Sequence, residues 1–281
     1  MPHSAFRRHE PTVAPIPLVL DSPHSGTEYP ADFDHLPPRA LVRQAEDSYV
    51  NELYATAPAI GATFVEALFP RAYIDPNRSL ADIDQALLAE RWPKPVTTSR
   101  KTELGIGLVW RLAQGGVPMY GRKLSVAEIE RRIARCYQPY HAAVALAIDE
   151  RYSAFGGVWH IDCHSMPAVG DVMSDDPGRL RADFVLGDRD GTTCEPELTA
   201  FVAATLRGMG YEVAINDPYK GVELVRLHGR PRERRHSLQI EINRKLYLDE
   251  GTLEKHSGFG TLQRNLQRLL DALAGYVRAR A

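Results

Sequence analysis

Cysteine is scarce in this chain of 281 residues: Cys136, Cys163 and Cys194 are the whole set, odd in number and without CxxC spacing. That excludes a disulfide framework and a cysteine-based metal knuckle, so any bound metal must be held by histidine and carboxylate. An excess of one charge is also missing, since 34 Lys and Arg meet 36 Asp and Glu for a formal net charge of −2. Such a balance argues against a nucleic-acid binder or a membrane-surface protein. No run approaches the roughly 18 consecutive apolar residues of a spanning helix, and the opening MPHSAFRRHEPTVAPIP lacks the apolar centre of a secretory signal. The expected setting is the cytoplasm. Internal repeats and low-complexity segments are absent too.

What is present suits a chain that buries its own core: 44% of residues are hydrophobic and 25% charged. One domain over 1–281 is expected, with an irregular segment at 1–14. Strand signals alternate with helix signals. Pro17-Leu-Val-Leu20 is a short apolar run emptying into the polar loop Asp21-Ser-Pro-His-Ser-Gly26. Residues 39–57 carry amphipathic helical spacing, and 62–69 and 72–74 read as two strands. From 80 to 103 the pattern is weak, with Pro93 and Pro95, which predicts a long loop that is functional or mobile and able to cover a site. Ser125-Val-Ala-Glu128 has capping-box spacing ahead of a helix that runs towards 152, with Pro139 as its kink or break. Strands are expected at 158–163, 184–186, 211–215, 222–227 and 238–242, and helices at 195–207 and 260–280. The fold class is therefore α/β: a mixed, mostly parallel sheet with helices on both faces.

In such sheets ligands collect where strands end in loops. Three ends carry unusual polar groups: the loop with His24, the segment His160-Ile-Asp162-Cys-His164, and Gln239-Ile-Glu241-Ile-Asn243-Arg244. Alternation along a strand points His160, Asp162 and His164 one way and Cys163 the other, which argues against a Cys163/His164 dyad. Each histidine alone reads as a loop residue bonded to the backbone. Two histidines, each just beyond an apolar strand and each followed by serine, favour shared ligation of zinc, with a carboxylate as third ligand.

Four segments, Ser22-Pro-His-Ser-Gly26, Asp75-Pro-Asn-Arg78, Asp162-Cys-His-Ser165 and Gln239-Ile-Glu-Ile242, resemble in identity and order the signature blocks of the N-formylglutamate amidohydrolases. The likeness runs from about residue 15 to 250. That family is similar in turn to the zinc carboxypeptidases and aspartoacylases. The resemblance implies a zinc-carboxypeptidase-like fold and one zinc ion, another divalent metal being an alternative, held by His24, Asp47 and His164. It implies Glu241 as the catalytic carboxylate that accepts a proton from water. The implied reaction is hydrolysis of N-formyl-L-glutamate to formate and L-glutamate, a step of histidine degradation. Pattern alone puts Asp47 on the solvent side of its helix, beside its rival Glu46; only the resemblance selects it. Asp162 shares a face with His164 and either orients it from behind or makes an ordinary buried hydrogen bond.

Arg78, with Asn77, supplies a planar guanidinium able to clamp a substrate carboxylate through paired hydrogen bonds, surface ion pairing being the plainer reading. Arg111, after Gly105-Ile-Gly-Leu-Val-Trp110, ranks below it as a second anion group. Arg230, Arg232, Arg234, Arg235 and His236 form the one basic run; without interleaved aromatics it reads as a solvated loop near an anionic substrate rather than a nucleic-acid surface. Lys220-Gly-Val-Glu-Leu-Val-Arg226 departs from the family's pattern and leaves open which acyl amino acid is cleaved. Two further readings stay open: a related zinc hydrolase acting on another N-acyl amino acid or small amide, and a non-catalytic carboxylate-binding protein.

Overall fold

Short apolar runs become strands, and spacings of three and four become helices. The computed structural model describes residues 4–172 and 174–281. Its elements in chain order are β1 (Phe6–His9), β2 (Leu18–Ser22), α1 (Arg39–Arg43), α2 (Val50–Leu53), β3 (Thr63–Ala67), α3 (Arg100–Glu103), β4 (Leu112–Ala113), β5 (Val117–Pro118), α4 (Val126–Arg132), α5 (Gln138–Phe155), β6 (Val158–Met166), β7 (Phe184–Gly187), α6 (Pro196–Gly208), β8 (Val213–Ile215), α7 (Glu223–His228), β9 (Arg235–Asn243) and α8 (Gly258–Arg278). Seven strands form one sheet in the order β1-β3-β2-β6-β9-β7-β8, while β4 and β5 make a separate hairpin. β3, β2, β6 and β9 run parallel. β1 is antiparallel to β3, and the parallel pair β7 and β8 joins antiparallel to β9, so the sheet is mixed and mostly parallel, as expected.

Alternation along the central strands sends their residues to two different environments. Leu18, Leu20, Trp159, Ile161, Cys163, Leu238, Ile240 and Ile242 enter one apolar core with α2, α6 and α8. α8 supplies Leu262, Leu266, Leu269, Leu270, Leu273 and Val277, all buried at helical spacing, each worth about 1.5–3 kcal/mol of burial. A second core forms against the other face, where α5 packs on β2 and β3 through Tyr140, Val144 and Ile148 and α4 adds Ile129 to the same cluster. The Ser125/Glu128 capping box starts α4, and the rod continues into α5 through a π-turn at Ile133–Tyr137. Pro139 follows directly, and the wider bonding of the π-turn accommodates its missing N–H, so the expected break is a bulge in an unbroken rod.

Four local expectations are corrected. The irregular 1–14 segment contains β1, whose Phe6 pairs with Ala67 on β3. Residues 39–57 do not form one helix but two short ones, α1 and α2, separated by a turn. Residues 72–74 form a turn rather than a strand, because Pro70 and Pro76 restrict both ends and Asp75 N–H bonds Leu108 O instead of a strand neighbour. Residues 222–227 form helix α7 rather than a strand. Its first turn is capped from afar by Asn77 Oδ1, which accepts from Leu224 N–H at 3.0 Å, an interaction with no local signature.

The 80–103 loop is also more anchored than its pattern suggests. Ile83, Leu87, Leu88 and Trp92 are buried in the second core, Leu88 bridges to Leu124, and α3 closes the segment with Ser99 as its cap.

Candidate active site

β2 leads away to β3 on one side, while β6 and β9 follow on the other, so strand order reverses between β2 and β6. Crevices at such points are where open α/β sheets bind ligands. His24 stands in the loop leaving β2, which passes so close to the β3 exit that a Cβ on Gly26 would lie 2.3 Å from Phe69 O. His164 lies near the end of β6 and is paired in register with Glu241 on β9, so both side chains face one way.

Asp47 arrives from the turn between α1 and α2. Asp47 N–H bonds His24 O at 3.0 Å, and Tyr49 adopts φ +65°, a left-handed conformation that a non-glycine residue takes at a cost. This break turns Asp47 inward, where it is fully buried, instead of towards solvent. Glu46 is occupied elsewhere: it accepts from Tyr29 Oη–H at 2.7 Å and from Arg43 Nε–H at 3.1 Å.

The two histidines aim the same ring atom at Asp47. His24 Nδ1 lies 3.4 Å and His164 Nδ1 3.0 Å from Asp47 Oδ2, with ring centroids 4.6 Å apart. All three ligand atoms fall within 4.8 Å of one another. Two donors each about 2.1 Å from a tetrahedral dication stand about 3.4 Å apart, so the spacing suits a shared ion. Two further observations fit. Buried His24 Nδ1 has no hydrogen-bond partner among the described residues, an arrangement that is costly unless something else meets its lone pair. The opposite nitrogens face carboxylates: His24 Nε2 is 2.8 Å from Asp75 Oδ1, and His164 Nε2 is 2.8 Å from Asp162 Oδ1. The Asp75 contact is a hydrogen bond that fixes the His24 tautomer leaving Nδ1 free to ligate, while Asp162 stands behind His164 as a close charge.

The electrostatics point the same way. Burial opposes ionisation of Asp47, yet the hydrogen bond from His164 and the nearby His24 ring and Arg71 guanidinium override it and hold the carboxyl well below its ordinary value. Burial likewise opposes charge on His164, but Asp162 and Asp47 push its pKa well above the imidazole's usual value. Positive charge is therefore wanted among these ligands, and a dication settling there would displace a proton.

Glu241 faces the same space, in a cavity of about 490 Å³ lined also by His24, His164, Arg71, Trp110 and Tyr219. Burial pushes its carboxyl up to about 7, against the pull of His164. Gln239 Nε2–H donates to Glu241 Oε1 at 3.0 Å and limits its rotation.

Of the groups expected to bind substrate, Asn77 and Arg78 line this cavity. Arg78 is held by its own Nε and Nη1 donating to Ile106 O and Asn77 O, and its Nη2 lies 3.9 Å from Asp75. Asn77 Nδ2 is 3.1 Å from His164 Nε2. Arg111 is placed elsewhere: its Nε pairs with Asp84, and it lines a separate surface depression with Tyr120 and Arg122. The basic run corrects its expectation as well. Arg232, Arg234 and His236 surround a depression at the start of β9, six residues and about 20 Å of strand before Glu241, away from the candidate site.

Three residues outside the expected site set join it. Asp75, part of a signature block, orients His24 and takes two hydrogen bonds from Arg71, at 2.9 and 3.1 Å. Arg71 lies over the Trp110 ring, 5.3 Å from its centroid, and 3.7 Å from Asp47. Arg244 donates to Asp47 Oδ1 at 3.1 Å, to Glu46 O at 2.7 Å and to Ser165 Oγ at 3.2 Å. The signal for Arg244 was its place two residues after a signature block; for Arg71 nothing local marked it.

Comparison with known proteins gives consistent likenesses. The family model described as N-formylglutamate amidohydrolase matches residues 16–248. An N-formylglutamate deformylase of Pseudomonas aeruginosa is 30% identical over 84% of this chain and 83% of its own length. One from Pseudomonas putida is 28% identical over the same shares of the two chains. A crystal structure of an N-formylglutamate amidohydrolase from Ralstonia eutropha JMP134 superposes with a TM-score of 0.94 at 50% identity, covering 99% of this chain and 100% of that one.

Proposed function

The chain belongs to the N-formylglutamate amidohydrolase family, and from that premise we propose that it hydrolyses N-formyl-L-glutamate to formate and L-glutamate, using one zinc ion held by His24, Asp47 and His164. The observation that carries this is the convergence of two histidine Nδ1 atoms on Asp47, one of them otherwise orphaned, beside the buried Glu241 in one cavity. When bound, the ion polarises the formyl carbonyl and brings the pKa of water from about 15.7 towards roughly 7.

The chain's own residues do the rest. Glu241 takes the proton from the attacking water and delivers it to the departing amine nitrogen, and its buried, raised carboxyl is suited to both directions of transfer. Gln239 holds Glu241 in place by donating to Oε1. Arg71, fixed by Asp75 and the Trp110 ring, presents positive charge where the formyl oxygen gains negative charge. Arg78 and Asn77 hold the substrate's α-carboxylate so that the amide lies beside Glu241.

Elemental analysis of the purified protein combined with a formate-release assay on N-formyl-L-glutamate tests the reading. About one zinc per chain and formate release that a chelator abolishes are expected. His24→Ala and His164→Ala should each lose the metal, and full occupancy in either variant would show that the ligands are wrongly assigned.

A further inference from the structure

Among the described residues four Lys or Arg side chains line the cavity: Arg71, Arg78, Lys101 and Arg244. Arg71 and Arg244 are committed to the buried carboxylates of Asp75 and Asp47. Arg78 donates to two carbonyls, has Asp75 no nearer than 3.9 Å, and is the one already given the substrate's α-carboxylate. Lys101 remains, and its place is built rather than accidental. It sits in α3, whose cap is Ser99 accepting from Thr102 N–H. Its neighbour Thr102 is buried and donates to the buried Asp82, while Lys101 O accepts from Ile106 N–H at 2.9 Å. The backbone around Lys101 is therefore pinned on three sides.

Its ammonium is poorly served by comparison. The side chain is only 24% exposed, yet its carboxylate partner is Asp175, at 3.5 Å and itself 56% exposed. Burial pulls the ammonium's pKa down, and the neighbouring charges of Arg78 and Arg71 pull the same way against Asp175. A lysine three-quarters covered, facing a cavity and held by one long, solvated contact, gains from any carboxylate that enters. Lys101 is also the more exposed of the two spare cations, at 24% against 6% for Arg78, and it reaches Asp175, next to the cavity-lining Ser174. This places it towards the mouth, on the outer side of a molecule whose formyl group lies by Glu241.

We infer that Lys101 reads a second carboxylate on the substrate: the side-chain acid of the amino-acid moiety replaces Asp175 on the ammonium, while Arg78 keeps the α-carboxylate. This rests on the activity proposed above and adds to it the residue that sets preference for a dicarboxylate. It also assigns the end of the 80–103 loop a role in specificity.

The test compares N-formyl-L-glutamate with N-formyl-L-glutamine, which has the same shape without the charge. The quantity read is the ratio of the two kcat/KM values. In the wild type this ratio should favour the acid, and Lys101→Met should reduce it by about 10- to 100-fold, chiefly through KM for the acid. Lys101→Arg, which keeps charge and reach, should retain most of the preference, and Asp175→Asn should lower KM for the acid by removing the competitor. Lys101→Met slowing both substrates equally, with the ratio unmoved, indicates a merely structural lysine and overturns the inference alone. A wild-type ratio near one overturns it as well. Absence of formate release from either substrate by metal-loaded wild type overturns the proposed activity, and the Lys101 assignment with it.

Discussion

The two faces of the central strands β2, β6 and β9 carry neighbouring residues of the same chain into opposite physical regimes. Towards α6 and α8, Leu20, Ile161, Leu238 and Ile240 pack as purely apolar side chains, with the Cys163 thiol beside them. One residue along each strand, Asp21, His160, Asp162, His164, Gln239 and Glu241 are buried just as deeply on the other face. Burying such groups is costly unless each finds a partner. The face meets that cost with a hydrogen-bonded ladder: Tyr140 Oη donates to Asp21 at 2.6 Å, and His160 spans Asp21 at 3.0 Å and Ser237 at 2.8 Å. At the strand ends the ladder stops closing on itself, and His24 Nδ1, Asp162 Oδ1 and Gln239 Oε1 find no hydrogen-bond partner among the described residues. The dry face holds the sheet together, and the incompletely satisfied end of the wet face is where chemistry becomes available.

Substitutions on the two faces should therefore fail in different currencies. The largest effect is expected for Glu241→Gln on the wet face, which should cut turnover about 10²- to 10⁴-fold with metal content and melting temperature little changed; near-normal formate release would break the assignment. On the dry face, Ile240→Ala should lower stability by about 2–5 kcal/mol through a cavity, measured by urea unfolding, while KM of the folded fraction stays put. If Ile240→Ala altered KM instead, the separation of the faces would be lost. Asp162→Asn removes the carboxylate behind His164 and should weaken metal affinity about 10- to 100-fold, read by competition with a chelator.

The smallest effect belongs to neither face. Hydrogen bonds from Arg122 hold the Glu128 carboxyl down at about 2, against its partial burial, in the cap of α4. A folded-state pKa below the unfolded one adds stability that is fully present above about 4.5 and drains as pH falls towards 2. Glu128→Gln should flatten that part of the stability curve slightly, and an identical acid limb in variant and wild type would exclude the cap as its source.

Much of this division was legible beforehand. Period-two alternation in His160-Ile-Asp-Cys-His164 separated the faces correctly, and the apolar runs located β2, β3, β6, β7 and β9. Helices α5, α6 and α8 followed from spacing and caps. What alternation could not show was the turn that breaks 39–57. Its apolar residues satisfy helical periodicity on both sides, and only the bond from Asp47 N–H to His24 O, across 23 positions of chain, makes the break worthwhile. Helix α7 was misread for the same reason, since its cap comes from Asn77, 147 residues earlier. Arg71 was invisible because its role depends on Asp75, Asp47 and Trp110 meeting around it.

Local order of residue types was enough to settle the sheet-and-helix class, the polar strand ends and the family blocks, because periodicity and capping act over a few residues and leave their mark in the string itself. Which carboxylate turns towards His24 and His164, which arginine stands beside Glu241, and that Lys101 faces the same cavity while Arg111 does not were decided only when distant segments closed on one another. Electrostatic partnership falls off over a few ångströms of space and takes no account of separation along the chain, so its outcome is written in the tertiary structure alone.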